Sequence, residues 1–313
     1  MTSAPAVSVV MIFLDAEQFI REAIDSVLGQ SFGGWELLLV DDGSRDGSVA
    51  IAREYAQAHP ARIRYLEHPH HENRGMSASR NLGIREGHGR YVAFLDADDV
   101  WLPGKLESQV AMLDARPDVS MVYGPGHYWY AWTGNPEDAA RDFVQDLQVA
   151  GGTVAEPPSL VPLYLRAPAA TPSPSGILAR RSALERVGGF EEEFRGMYED
   201  QALYFKLAVR EPILVSTEGW YRYRQHENAC CAVAFRTGSH LEARARFLTW
   251  VSRYVAARGL EAPEVERPLR RELARVQPAT GMRAAMKVAA RALLPVPARR
   301  WLRARADAWA GWR

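Results

Sequence analysis

Cysteine is nearly missing from this chain: its 313 residues include two, Cys230 and Cys231, and these are adjacent. Neighbouring cysteines rarely meet the geometric demands of a disulfide, so no covalent framework staples the fold and a reducing cytosol is the expected setting. An excess of one charge is missing as well. Lys plus Arg number 38 and Asp plus Glu 38, for a formal net charge of +0. That balance argues against a dedicated nucleic-acid binder, which needs a basic surface. No apolar run reaches the roughly 18 residues of a spanning helix. The early run VSVVMIFL has no basic stretch before it and no small-residue cleavage site after it, so it reads as a buried strand rather than a secretion signal. What is present, 47% hydrophobic and 24% charged residues, is ordinary globular material, enough for one large domain with an appendage or for two modest ones.

Val7 to Leu14 is β-branched and apolar and ends in DAEQ, where Asp15 and Gln18 have the spacing of a capping box. Phe19, Ile20, Ala23, Ile24, Val27 and Leu28 follow at helical spacing and stop near Gly29. A second apolar run, WELLLV, meets DDGS and a polar helix from about Asp46 to Ala58. Ile63 to Leu66 predicts a strand, Ser77 to Glu86 a helix ended by Gly87, and Tyr91 to Leu95 a fourth strand. This alternation implies crossover connections and a mostly parallel sheet. Ligands of such sheets bind beyond the carboxyl ends of the strands, so Asp41, Asp42, Asp96, Asp98 and Asp99 are expected to face one cleft. From Gly124 the chain turns rich in Pro, Gly and aromatics, the texture of functional loops. Order resumes with SGILARRSALERVGGF, a strand and a short helix, then the helix YEDQALYFKLAV and the strand WYRYRQH. After about His240 the pattern is helical and rich in Arg.

The carboxylates of YVAFLDADD repel one another unless a cation sits among them. Such a cluster suits Mg²⁺ or Mn²⁺ that also binds phosphate oxygens, although a solvated acidic loop capping the next helix has the same composition. In DDGSRDGS the aspartates either accept hydrogen bonds from a nucleoside or build an Asp-Gly turn. NRGMSASRNLG supplies Arg74 and Arg80, the latter placed on a helix to pair with Asp42 or with a phosphate. Trp129, Tyr130 and Trp132 either stack on a sugar or pack in the core.

Taken in order, VSVVMIFLDAEQFIREAIDSVLGQSF, LLLVDDGSRDGS, NRGMSASRNLG, YVAFLDADD, SGILARRSALERVGGFEEEF, YEDQALYFKLA and YRQH resemble a family 2 glycosyltransferase of the GT-A fold over Val7 to Asn228. The resemblance implies an α/β architecture: a single, mostly parallel central sheet flanked by helices, with a C-terminal helical extension. Residues 1–123 would be the nucleotide-sugar half, 124–235 the acceptor-binding and catalytic half, and 236–313 the extension. It implies that Asp41 and Asp42 bind the nucleoside and that Asp96 and Asp98 lie by ribose, metal and diphosphate. Asp15, Arg74 and Arg80 would be further donor contacts, and His226 would lie near the metal or diphosphate. Asp200 of the Glu199–Asp200 pair would be the base of an inverting displacement, with Mn²⁺ or Mg²⁺ as cofactor. The implied donor is a UDP-sugar and the acceptor a hydroxyl of a glycan or lipid-linked saccharide. FLDAE departs from the family pattern, where Asn often precedes the acid-containing turn. The lack of a Gln-x-x-Arg-Trp sequence and of a spanning helix favours single addition over processive synthesis.

Two other readings compete. A nucleotidyltransferase needs a Gly-rich loop with a basic residue after the first strand, and FLDAEQF has neither. A non-catalytic nucleotide-sugar or glycan binding partner would bind donor without turnover. In the tail, Arg283, Lys287 and Arg291 share one helical face, and Arg299, Arg300, Arg303 and Arg305 mix with Trp301, Trp309 and Trp312. That pattern suits either peripheral contact with an anionic membrane or a helix packed on the domain with a solvated basic face.

Overall fold

A computed structural model describes residues 4–260 and 262–280; the tail residues named above lie outside that range. The first half runs β1 Val7–Phe13, α1 Ile20–Leu28, β2 Trp35–Asp41, α2 Ser48–Ala58, β3 Ile63–Glu67, α3 Met76–Glu86 and β4 Tyr91–Asp96. Next come β5 Val100–Trp101, α4 Lys105–Ala115, β6 Met121–Tyr123, β7 His127–Trp129, α5 Pro136–Ala139, β8 Phe143–Val144, β9 Thr153–Ala155 and α6 Val161–Leu165. The chain continues with β10 Ile177–Arg180, α7 Arg181–Val187, α8 Glu199–Ala208, β11 Ile213–Val215 and β12 Tyr221–Arg224. Helices α9 Cys230–Thr237, α10 His240–Arg258 and α11 Pro263–Thr280 complete it.

Eight strands form the central sheet in the order β3-β2-β1-β4-β10-β6-β11-β9. The expected parallel pairing holds from β3 to β4, whereas β10 runs antiparallel to both its neighbours and β9 antiparallel to β11. A second sheet, β5-β12-β7-β8, was not foreseen. It organises much of the stretch expected to be loops.

Side-chain alternation divides the central strands between two cores. Val10, Ile12, Leu38, Val40, Val92 and Phe94 enter one, and Val9, Met11, Leu37, Leu39, Ala93 and Leu95 the other. Helix α1 buries Ile20, Ala23, Ile24 and Val27 against the second. Three of these are large side chains, each worth roughly 1.5–3 kcal/mol on full burial, and they hold α1 without a side-chain cap. The capping box of Asp15 and Gln18 does not form: α1 starts at Ile20, its N-cap Phe19 makes no cap bond, and Asp15 adopts φ 49. The backbone N–H groups of Asp15, Ala16 and Glu17 are taken instead by Ser44 Oγ, Ser48 Oγ and Asp46 Oδ2.

Helices α10 and α11 join the first core through Phe247, Leu248, Trp250, Val251, Val265 and Leu269. They are tied to each other by the buried pair Arg244–Glu272 at 2.9 Å. The expected boundary after residue 235 falls within α9. Among the described residues no helix is long and apolar enough to cross a membrane.

Candidate active site

Register places the carboxylates. Parallel pairing sets Phe13 of β1 beside Asp41 and Ile12 beside Asp96, so both acids leave the same edge of the sheet. Helix α8 brings Glu199 and Asp200 to that edge in its first turn. Its N-cap, Tyr198, is held at φ 76, and its ring stacks on Phe247 of α10 at 5.0 Å. The C-terminal helices therefore help to aim this turn.

The link between the two groups is Arg80. Its side chain is 2% exposed, with Nη2 donating to Asp96 Oδ1 at 2.6 Å and Nη1 lying 2.5 Å from Glu199 Oε1. The second contact is an ion pair without hydrogen-bond alignment, since Nη1 has no hydrogen-bonded partner. Of the two partners expected for Arg80, Asp42 or a phosphate, Asp42 is not one that forms: it is satisfied by other donors, and Arg80 pairs with Asp96 and Glu199. Among the described residues, every buried side-chain N or O atom lacking a partner belongs to Arg80 or to Glu199, Gln201 and Tyr204 of α8, apart from Trp35 Nε1. Burial raises Glu199 to about 8 against the pull of Arg80. It raises Asp200 to about 6, where the Asp200 carboxylate accepts only the backbone N–H of Gln201. A half-buried acid that titrates near neutrality and keeps free acceptor capacity can act as a general base.

At the end of β2 the carboxylates are saturated. Asp42 accepts from the N–H groups of Arg74 and Gly75 and from Ser79 Oγ, at 2.8–3.1 Å. Asp41 accepts from Ser44 N–H and Tyr65 OH. Gly43, at φ 88, lets the turn pass so close to the 71–73 backbone that a Cβ would meet Asn73 N and His71 O at 3.0 Å. Asp15 Oδ1 pins the same loop by accepting from Arg45 N–H. The Arg74 guanidinium lies 3.8 Å from Glu192, so its shown link to the site is through its backbone.

Asp41, Glu67 and His71 bring ligand atoms within 4.8 Å of one another. His71 Nε2 faces Ser44 O at 2.8 Å while Nδ1 faces Glu67 at 3.0 Å and Asp41 at 3.2 Å. Both ring nitrogens face acceptors, and His71 is pushed up by the Ser44 carbonyl and then by Glu67. When protonated, the ring supplies a cation to this group.

Around the expected metal site, His226 Nε2 donates to Asp98 Oδ2 at 3.0 Å. Asp96 is raised by burial, with Asp98 adding to it against Arg80. Two hard carboxylates suit Mn²⁺ or Mg²⁺, and a cation there would relieve their repulsion, although Asp96, Asp98 and His226 do not bring three ligand atoms within 4.8 Å of one another as Asp41, Glu67 and His71 do. Asp99 stands apart, buried and occupied by Ser175 Oγ at 2.6 Å and Arg224 N–H at 3.0 Å.

Arg224 escaped the sequence reading. It is 3% exposed, donates through Nε to the Asp98 carbonyl at 2.6 Å, pairs with Glu22, and lies over the rings of Phe19, Trp129 and Trp132. Period-two alternation puts Arg222 and Arg224 on one strand face, yet Arg222 is exposed, so no pattern marks the second as buried. Of the expected aromatic cluster, Trp129 and Trp132 pack on Arg224 while Tyr130 lies under Arg141, and Trp132 Nε1 donates to Gln225 O.

Comparison with known proteins agrees with this geometry. An Escherichia coli UDP-Glc:alpha-D-GlcNAc-diphosphoundecaprenol beta-1,3-glucosyltransferase, WfgD, is 36% identical over 118 residues, 38% of this chain and 44% of that protein. The chain spans less than half the length of such curated relatives. Among solved structures, mannosyltransferase PcManGT from Pyrobaculum calidifontis, in complex with GDP-Man and Mn²⁺, has a TM-score of 0.61 at 22% identity, covering 100% of this chain and 82% of its own. S. aureus TarS 1-349 in complex with UDP-GlcNAc has a TM-score of 0.59 at 19% identity, covering 87% and 71%. These likenesses establish the GT-A fold. The family model for glycosyl transferase family 2 matches residues 8–188, more than half of the chain, and the chain belongs to that family.

Proposed function

We propose that this chain is a metal-dependent, inverting glycosyltransferase that moves one sugar from a UDP-sugar to a hydroxyl of a glycan or lipid-linked saccharide in cell-surface polymer assembly. The observation that carries the reading is that Arg80 bridges Asp96 of the donor edge and Glu199 of the α8 turn. Asp200 takes the proton from the acceptor hydroxyl as its oxygen attacks the anomeric carbon, and the nucleotide diphosphate leaves from the opposite face. Glu199, held by Arg80, positions the turn that carries Asp200. Asp41 and Asp42 shape the nucleoside wall by fixing the loops at residues 43–48 and 73–75, with Asp15 pinning the first of them. Asp98, Asp96 and His226 would hold the cation, which offsets charge developing on the leaving diphosphate when bound.

Relatives named for UDP-Glc and solved with UDP-GlcNAc support the choice of uridine, and the complex with GDP-Man makes guanosine the base to test against it. Thermal unfolding with UDP, GDP, dTDP and CDP, each with Mn²⁺, Mg²⁺ or chelator, decides it. UDP with metal should stabilise by about 2.7 kcal/mol at a hundredfold excess over its dissociation constant, and chelator should remove most of the shift. No shift with any nucleotide would overturn the donor site.

A further inference from the structure

The α8 turn borders a groove that the donor chemistry does not use. A cavity of about 410 Å³ lies between the loop of Phe194 to Met197, helix α9 and the start of α10. Phe194, Met197, Val233, Ala234 and Ala243 make its walls apolar, while Arg195, Arg246 and Glu242 line it with charge. Beside it on the α9–α10 corner, Phe235 is 62% exposed and Leu241 56% exposed. Large apolar side chains so open to water mark a contact surface when they adjoin a pocket.

The cations are available. Among the described residues Arg195 enters no ion pair, and its Nη2 donates to the Asn73 carbonyl and side-chain oxygens at 2.8 and 2.7 Å. Arg246 has an exposed 3.5 Å contact with Glu242, a pairing worth little in water. A free sugar would need several neutral donors and acceptors, and Ser239 is the one hydroxyl on the lining. Hydrocarbon walls with two guanidinium forks match an amphiphile bearing a compact multivalent anion.

We propose that this groove holds the prenyl-diphosphate portion of a lipid-linked acceptor. The hydrocarbon lies on Phe194, Val233 and Ala234 and runs out over Phe235 and Leu241, Arg195 and Arg246 take the diphosphate, and the sugar reaches Asp200. This rests on the transferase reading of the neighbouring cleft.

Cys230 lines the groove and is exposed, which supplies a footprint independent of turnover. In the full chain carrying Cys231→Ser, with Mn²⁺ and with or without UDP, the rate of Cys230 alkylation is followed against farnesyl diphosphate. Farnesol, inorganic diphosphate and phosphatidylglycerol vesicles serve as comparisons, and UDP-induced thermal stabilisation is read in the same samples. Farnesyl diphosphate should slow alkylation at least 10-fold whether or not UDP is present, and farnesol or diphosphate alone should protect far less. Arg246→Glu, an exposed change that leaves the fold intact, should weaken protection at least 10-fold, as should Val233→Asp. Absence of protection while UDP still stabilises would overturn the groove and leave the donor reading standing. Protection without any UDP shift would remove the donor reading alone. Loss of protection on adding UDP would place the probe in the donor site, and equal protection by vesicles would make the corner a bilayer contact; either result overturns the proposal.

Discussion

Asp42 and Asp200 stand at the same edge of one sheet and are held in opposite ways. Asp42 is 4% exposed and accepts from three separate donors that close the 74–79 segment around it. Asp200 accepts from one backbone N–H, and burial lifts it to about 6. Its neighbour Glu199 keeps a buried oxygen with no partner. A carboxylate that has satisfied its lone pairs inside the protein builds a wall, whereas one left short of donors keeps its affinity for a proton. The end of β2 is made of the first kind and the α8 turn of the second.

The strongest way to sharpen that contrast is Asp200→Asn. Loss of the base should lower kcat by roughly 10²–10⁴-fold, and UDP affinity should stay within about twofold because the residue touches no donor-side loop. A variant with wild-type turnover would move the base elsewhere and end the comparison. Asp42→Ala should act on stability instead. It strips acceptors from the N–H groups of Arg74 and Gly75, and leaving such groups unpaired costs about 2–4 kcal/mol in all. Urea midpoints measure this, and unchanged midpoints with lost UDP binding would make Asp42 a ligand rather than a wall.

How far this arrangement was legible follows the same divide. β1, β2 and β4 are mostly apolar runs of six or seven residues, so the runs and the turn signals after them located the strands and the acids at their ends. The second sheet was hidden because β5 and β8 are two residues long and β7 is three, too short for any periodicity. Glu199 was not foreseen as a partner of Arg80 because it lies in a helix that tertiary packing alone brings near. Arg224 could not be found, since its burial depends on Phe19 and Trp132 from distant segments. The capping box failed because the helix starts later, at Ile20, and Ser44, Ser48 and Asp46 take the N–H groups of Asp15, Ala16 and Glu17.

A smaller effect is expected from pH. Asp200 must be ionised to accept a proton, so kcat/KM should fall tenfold per unit below about pH 6 and level off above it. Arg80 and Asp96 are the charged groups acting on it. Activity level down to pH 4.5 would mean that the turn is as well solvated as an ordinary carboxylate, which would break the contrast with Asp42.

The smallest effect belongs to His71 on the saturated side. Its pKa is raised in the folded state, so its stabilising pairing with Glu67 and Asp41 is complete below the ordinary value of about 6.5 and is lost as pH rises through the higher folded value. The wild-type urea midpoint should therefore decline from pH 6 towards pH 9, and His71→Asn should flatten that decline. The group is 40% exposed, so salt should weaken the slope. If Mn²⁺ instead restores the wild-type midpoint at pH 9 and fails to do so in His71→Asn, the imidazolium has been standing where a metal binds, and the saturated wall is itself a metal site.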